Sequence, residues 1–333
     1  MARFGLTKAR SLGPIVDAVE RAGGNVARVF SRAEVPLGIT DYPERLIPLR
    51  SQLRLLEFAS QEVGDPVLPA RLSLKSGVAG LGVLGERVLA AERLEAAIFS
   101  ANQLMGSLLQ SCTRIDLTVR DDVARWSYSL TDCNETGRQK NEFLALGYMT
   151  DLIRSFLGRN WTPLRAVVSG SQIEARSEAE RTLGAALVLG TEAVLYFPAD
   201  QLDALKPVRS EPPATPDCSD APIGDDLLTC IEHLVLLELL DGRPTIDRVA
   251  RRLGLPRRTL QRRLAERGTS FDKVLTVVLE RQAEMLLSLP EMSLSQIALH
   301  LGYADHAHFT RAFLGWKGMS PREWRLTGRS SHR

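Results

Sequence analysis

The chain has 333 residues, enough for two ordinary domains that each bury a core. Net charge is only +2, yet from residue 242 onward seventeen Lys and Arg face eight Asp and Glu, a local +9, which leaves −7 on the preceding 241 residues. That asymmetry points to an acidic body followed by a basic tail that meets a polyanion.

In chain order, apolar spacing predicts a helix over 14–31, a proline-broken segment to residue 48, and an amphipathic helix over 51–63 with Leu53, Leu56, Phe58 and Ala59 inward. The glycine-rich stretch GVAGLGVLG (77–85) lacks the Gly-Lys-Ser/Thr of a phosphate loop and reads as a turn packed on a helix. A helix over 91–109 comes next. Alternating residues over 114–120 and 123–130, with Asp121-Asp122 between them, predict a β-hairpin whose two acids are turn formers rather than a catalytic pair. A helix over 142–157 and short strands at 164–168 and 193–197 complete an α+β domain over 1–205.

Residues 206–222, KPVRSEPPATPDCSDAP, hold five prolines and no apolar period, the composition of a linker. The tail, 223–333, has no strand signal. In it Ile246, Val249, Ala250 and Leu253 predict a short helix stopped at Gly254, and Leu260 and Leu264 mark the inner face of a second. The same pattern returns 48 residues later at Leu294, Ile297, Ala298 and Leu301, followed by Gly302, and then 49 residues later at Phe309 and Phe313. A short helix, a glycine turn and a second helix describe a helix-turn-helix, here present twice. A generic helical bundle would give similar spacing, but not the row Arg257, Arg258, Gln261, Arg262, Arg263 and Arg267, whose self-repulsion is costly without phosphates as partner.

The segments ARRLGLPRRTLQRRL, IALHLGYADHAHFTRAF and GMSPREWR resemble the AraC/XylS family of bacterial transcription regulators over about residues 227–325, with a linking helix around 271–287. LRLLEFASQEVGDP, LGVLGERVLAAERLEAA and NWTPLRAVV are similar to the subgroup whose amino-terminal domain is α+β, arabinose-binding in type, rather than a cupin barrel. The resemblance implies an all-α carboxy-terminal domain with two helix-turn-helix units that binds double-stranded DNA, and an amino-terminal domain for a small effector and self-association. Each second helix would enter the major groove, the two about one helical turn, ~34 Å, apart. Arg257, Arg258, Gln261 and Arg262 form the groove-facing set of the first unit, and His306, His308, Thr310 and Arg311 that of the second, with Lys317 and Arg322 as phosphate contacts. This chain departs from the family pattern in three places. Pro256-Arg257 stand where Ser-Pro is usual, Leu279 where a basic residue is frequent, and Leu314-Gly315 replace a common basic pair.

Trp126, Tyr128, Phe143, Tyr148 and Trp161 are the candidate lining of an effector pocket, although aromatic core is the commoner role for any one of them. His300, His306 and His308 do not follow a metal-binding period, no cofactor motif is present, and no nucleophile has a partnered base. The four cysteines lack C-x-x-C spacing, the amino terminus lacks a signal-peptide apolar run, and no apolar run nears the roughly 20 residues that span a bilayer. These features predict a cytoplasmic DNA-binding regulator, not an enzyme, dimeric through its body and touching RNA polymerase if it activates. The alternative is a ligand-independent repressor or architectural protein whose body only self-associates.

Overall fold

The computed structural model describes residues 4–131, 136–207, 223 and 226–330. It divides into two compact units, Met1–Asp225 and Asp226–Arg333. From residue 208 the expected linker lies outside the described residues, as do Cys133 and Cys218, whereas Cys112 and Cys230 are buried.

In the first unit β1 (Leu6–Lys8) pairs antiparallel with β2 (Leu46–Pro48), and α1 (Ile15–Arg21) and α2 (Val26–Ala33) lie between them in sequence. The single helix expected over 14–31 is therefore two. Gly23 takes a positive φ, and the Asn25 side chain accepts the Arg28 N–H at 2.9 Å to start the second. In α3 (Leu49–Val63) Leu53, Leu55, Leu56 and Ala59 are buried. Phe58, expected inward, is half-buried with the Arg32 guanidinium 4.1 Å above its ring, and Leu55 faces the core instead.

After α4 (Leu68–Ser76) the glycine-rich stretch forms a 3-10 turn, Val78–Leu81, that runs into α5 (Val83–Leu89). A Cβ at Gly85 would fall 2.0 Å from the Val78 carbonyl oxygen, so glycine is what lets the turn lie on the helix. α6 (Leu94–Leu108) leads to the hairpin of β3 (Thr113–Arg120) and β4 (Val123–Leu130). Asp121 and Asp122, at φ 48° and 61°, take the two left-handed positions that a tight hairpin demands. α7 (Arg138–Leu157) begins four residues before the expected 142 because its polar first turn carries buried Lys140 and Asn141.

The remaining elements are β5 (Arg165–Ser169), α8 (Arg176–Leu183), β6 (Leu187–Gly190) and β7 (Ala193–Pro198). The five-stranded sheet runs β3-β4-β7-β5-β6, and only the β5–β6 pair is parallel. Ala124, Trp126, Val168 and Leu195 of the sheet share one buried cluster with Phe143 and Leu146 of α7. The α+β class follows directly from this helix-covered, mixed sheet.

The second unit is all helical among the described residues. It comprises α9 (Leu227–Glu238), α10 (Ile246–Arg252), α11 (Arg257–Ala265), α12 (Phe271–Leu287), α13 (Leu294–His300), α14 (His306–Lys317) and α15 (Pro321–Ser330). Val249, Leu260, Ile297, Phe309 and Phe313 are fully buried, so both repeats turn the same positions inward. α12 has the bounds expected of the linking helix. Its Leu279 is buried, which explains an apolar residue where the family often has a basic one.

Candidate nucleic-acid interface and effector cavity

The two helix pairs, α10–α11 and α13–α14, are built alike. Thr245, Ser293 and Asp305 cap α10, α13 and α14 with side-chain oxygens, and Ser293 with Gln296 closes a full capping box. Pro256 gives α11 no side-chain cap, as the missing serine implies. Gly254 and Gly302 have φ of 67° and 72°, the left-handed region where a side chain is strained. At Gly302 a Cβ would also lie 2.8 Å from the Arg243 Cα.

With Leu260 and Leu264 inward, Arg257, Arg258, Gln261 and Arg262 of α11 are all solvent-exposed. Arg257 ion-pairs Asp247 at 3.0 Å, and Arg262 lies 3.7 Å from Glu266 along its own helix. Both are surface pairs, weak enough to exchange for phosphate or base contacts. On α14, with Phe309 and Phe313 inward, His306, His308 and Arg311 are exposed and Thr310 is half-buried. His308 Nδ1 sits 2.8 Å from Asp305 Oδ2, and the Thr310 hydroxyl donates to the His306 carbonyl at 2.7 Å. The cap thus orients one imidazole, while Thr310 spends its proton within the helix.

Arg322 is exposed at the start of α15, but Lys317 is placed differently from the expected phosphate contact. Its ammonium lies 2.6 Å from Glu280, pairs also with Glu284, and sits 5.1 Å from the Trp324 ring, so two carboxylates of α12 already neutralise it. Behind α10 lies a charge cluster that spacing alone did not reveal. Glu238, fully buried, pairs with Arg248 and Arg252, the latter itself buried. Part of the tail's positive charge is therefore structural rather than available to a ligand.

The first unit holds a cavity of about 80 Å³. Trp126, Tyr128 and Tyr148 line it. Phe143 and Trp161 do not: Phe143 is fully buried in the core, and Trp161 packs edge-on against Phe197 and donates its indole N–H to Gln201 at 2.8 Å. The apolar wall comes from α5, α6 and α7, with Val88, Ala101, Met105, Leu144 and Met149 among its residues. At one end the Tyr128 hydroxyl accepts from the side-chain amides of Gln110 and Asn141, each at 2.8 Å. Gln52 donates to Asn141 at 2.9 Å and accepts from Ser11 at 2.6 Å, extending the chain of polar groups. Burial pushes the Tyr148 phenol up to about 12, and it raises that of Tyr128 as well, so both rings stay protonated at neutral pH.

Two family profiles match the chain. Residues 23–205 match the arabinose-binding domain of AraC transcription regulators, and residues 249–327 match a helix-turn-helix domain. The chain belongs to the AraC family of transcription regulators. It is 26% identical over 340 residues to the HTH-type transcriptional regulator VirS of Mycobacterium tuberculosis, covering 98% of both chains. It is 27% identical over 327 residues to the ornithine utilization regulator of Pseudomonas aeruginosa, covering 93% of this chain and 94% of that one. The solved structure of the transcriptional regulator CdpR from Pseudomonas aeruginosa matches 78% of this chain and 87% of its own at 21% identity, with a TM-score of 0.36.

This AraC-family regulator is thus a DNA-binding protein with a ligand-binding type of amino-terminal domain. Its relatives regulate transcription, and among the described residues no helix is long and apolar enough to cross a membrane. Aromatic content alone does not point to Gln52, Gln110 and Asn141, which also line the cavity. The available signal was a polar side chain placed on the apolar face of a helix, as Gln52 stands beside Leu53 and Leu56 in α3.

Proposed function

We propose that α11 and α14 lie in successive major-groove segments of an operator, about one helical turn apart. The observation that carries this is the outward row Arg257, Arg258, Gln261 and Arg262 on a helix whose inner face is pinned by Leu260 and Leu264. Arg suits bidentate contacts to guanine and Gln to adenine. His306, His308, Thr310 and Arg311 form the second reading head, and Arg322 holds phosphate. Lys317 is left out of the contact set, because its charge is already met by Glu280 and Glu284.

The cavity beside Trp126, Tyr128 and Tyr148 receives a small effector, and binding there shifts the population between DNA-bound and released forms. The protein acts in the cytoplasm as a homodimer joined through the first unit, without catalysing a reaction, and meets RNA polymerase where it activates. The test is fluorescence anisotropy on an operator recovered by selection from genomic fragments. Arg258→Ala and Arg262→Ala are expected to weaken specific binding. Unchanged affinity in both variants at fixed salt would place the reading surface elsewhere.

A further inference from the structure

Resting on the reading of the cavity as the effector site, we infer that its ligand is an uncharged, mainly apolar molecule with one hydrogen-bonding group, of the class of a medium-chain alcohol, ketone or amide. The walls at Val88, Ala101, Met105, Ile115, Leu144 and Met149 offer hydrocarbon and thioether surface only. The polar end is made of neutral groups, the amides of Gln52, Gln110 and Asn141 and the Tyr128 phenol. Amides present both a donor and an acceptor, so a hydroxyl, carbonyl or carboxamide can be met there.

No ionised side chain lines the cavity, and Glu142, Lys140 and Asp151, close in sequence to its walls, are engaged elsewhere. Glu142, next to Asn141, accepts from the Ser169 N–H and hydroxyl, both at 2.6 Å. Lys140 donates to the Pro66 carbonyl at 3.0 Å and to Glu174 at 2.7 Å. Asp151 accepts the Val78 N–H at 2.7 Å. A carboxylate or ammonium entering the cavity would shed its hydration with no counter-charge to replace it. A free sugar would bring several hydroxyls to a site with one polar end, leaving most of them unsatisfied against hydrocarbon.

The experiment is isothermal titration of the full-length protein with 1-octanol, 2-octanone and octanamide, against octanoate, octylammonium and L-arabinose at fixed pH and salt. Saturable binding of at least one neutral probe is expected, with octanoate and octylammonium ~100-fold weaker or worse. No saturable binding of any neutral probe overturns the inference, as does equal or tighter binding of octanoate, octylammonium or arabinose. Ala101→Phe fills the apolar wall and is expected to abolish neutral-probe binding. Should that variant not fold, Gln52→Glu decides. A carboxylate at the polar end is expected to reverse the order, octylammonium above octanamide, and an unreversed order overturns the placement. Operator affinity with and without bound probe is read separately. A probe that binds in the cavity yet leaves operator affinity unchanged supports the ligand assignment and removes effector control from the proposed function.

Discussion

Glu238→Gln tests whether the buried charge cluster holds the first reading head in place. Glu238 is fully buried on α9, accepts a hydrogen bond from Arg252 and ion-pairs with Arg248, both on α10. Arg248 is a third exposed and can rehydrate when its partner is lost, but Arg252 is 6% exposed and cannot. Its Nη1 already lacks a protein hydrogen bond. Glutamine keeps the shape and one acceptor while removing the charge, so the penalty is that of one uncompensated buried guanidinium. Breaking buried pairs costs ~3 to 5 kcal/mol, and the retained acceptor puts this variant near ~3. That is a large share of the ~5 to 15 kcal/mol that holds a domain of this size together. Hydrogen exchange of the full-length protein, followed by mass spectrometry, reads the effect locally. Amides of α9 and α10 that open with their unit are expected to exchange ~100-fold faster, the equivalent of ~3 kcal/mol. The double replacement Glu238→Leu with Arg252→Met, apolar groups of similar volume, is expected to recover most of the loss. A single-variant change below ~1 kcal/mol would refute the picture of a dry, mutually compensated pair.

Other perturbations address the reading heads. Arg262→Ala is expected to cost ~1 to 3 kcal/mol of operator affinity and to relax preference at one base position, measured by anisotropy on a set of single-base operator variants. Arg322→Ala, at the assigned phosphate contact, should lower the slope of log affinity against log salt by about one, whereas Lys317→Met should leave it unchanged, because two glutamates already hold that ammonium. Gly302→Ala forces a side chain into the left-handed region against the Arg243 backbone, and a loss of ~1 to 2 kcal/mol or more is expected in thermal unfolding of the tail. Hydrogen bonds from the His308 backbone N–H and then its ring hold the Asp305 carboxyl below its ordinary value. Its stabilisation is therefore complete above the ordinary aspartate range and lost as pH falls through the lowered value. Asp305→Asn, which caps without titrating, should remove that limb from the pH profile of α14 exchange rates.

The tail was legible nearly to the residue because its signal is local and doubled. Two glycine turns, two small alanines and two pairs of inward apolar residues recur at nearly constant offsets, and a repeat fixes phase in a way that one amphipathic segment cannot. The body was legible only where periodicity was strong, as in the β3–β4 hairpin and α3. β6 was missed because residues 183–189 form a short apolar run that fits either a strand or a buried helix segment, and α8 because only Ala179 and Leu183 of its polar sequence face inward, too few to mark a period. The lining of the cavity was half legible. Aromatic content brought out Trp126, Tyr128 and Tyr148, but the same content equally suggested Phe143 and Trp161, and only packing separates a ring that faces a void from one that fills the core. Lys317 shows the converse limit. A basic residue at the end of a recognition helix looks like a phosphate contact until the carboxylates of another helix, more than thirty residues away in sequence, are seen beside it.

The two helix-turn-helix units are not equivalent in what they can contribute. α11 carries Arg257, Arg258, Arg262 and Arg263 but begins at Pro256 without a side-chain cap, so its start is held by packing of Leu260 and Leu264 and by the α10 contacts that Glu238 supports. α14 begins on an aspartate cap, yet its outward surface beyond Arg311 runs to Leu314, which is half exposed, and Gly315. Counterion release scales with the phosphates neutralised, so the first unit dominates salt-dependent affinity on this reading. The second then discriminates mainly through the short row His306, His308 and Arg311, whose geometry depends on the Asp305 cap. Weakening that cap should therefore blur sequence preference in one half-site while leaving the salt slope, a property of α11, nearly unchanged.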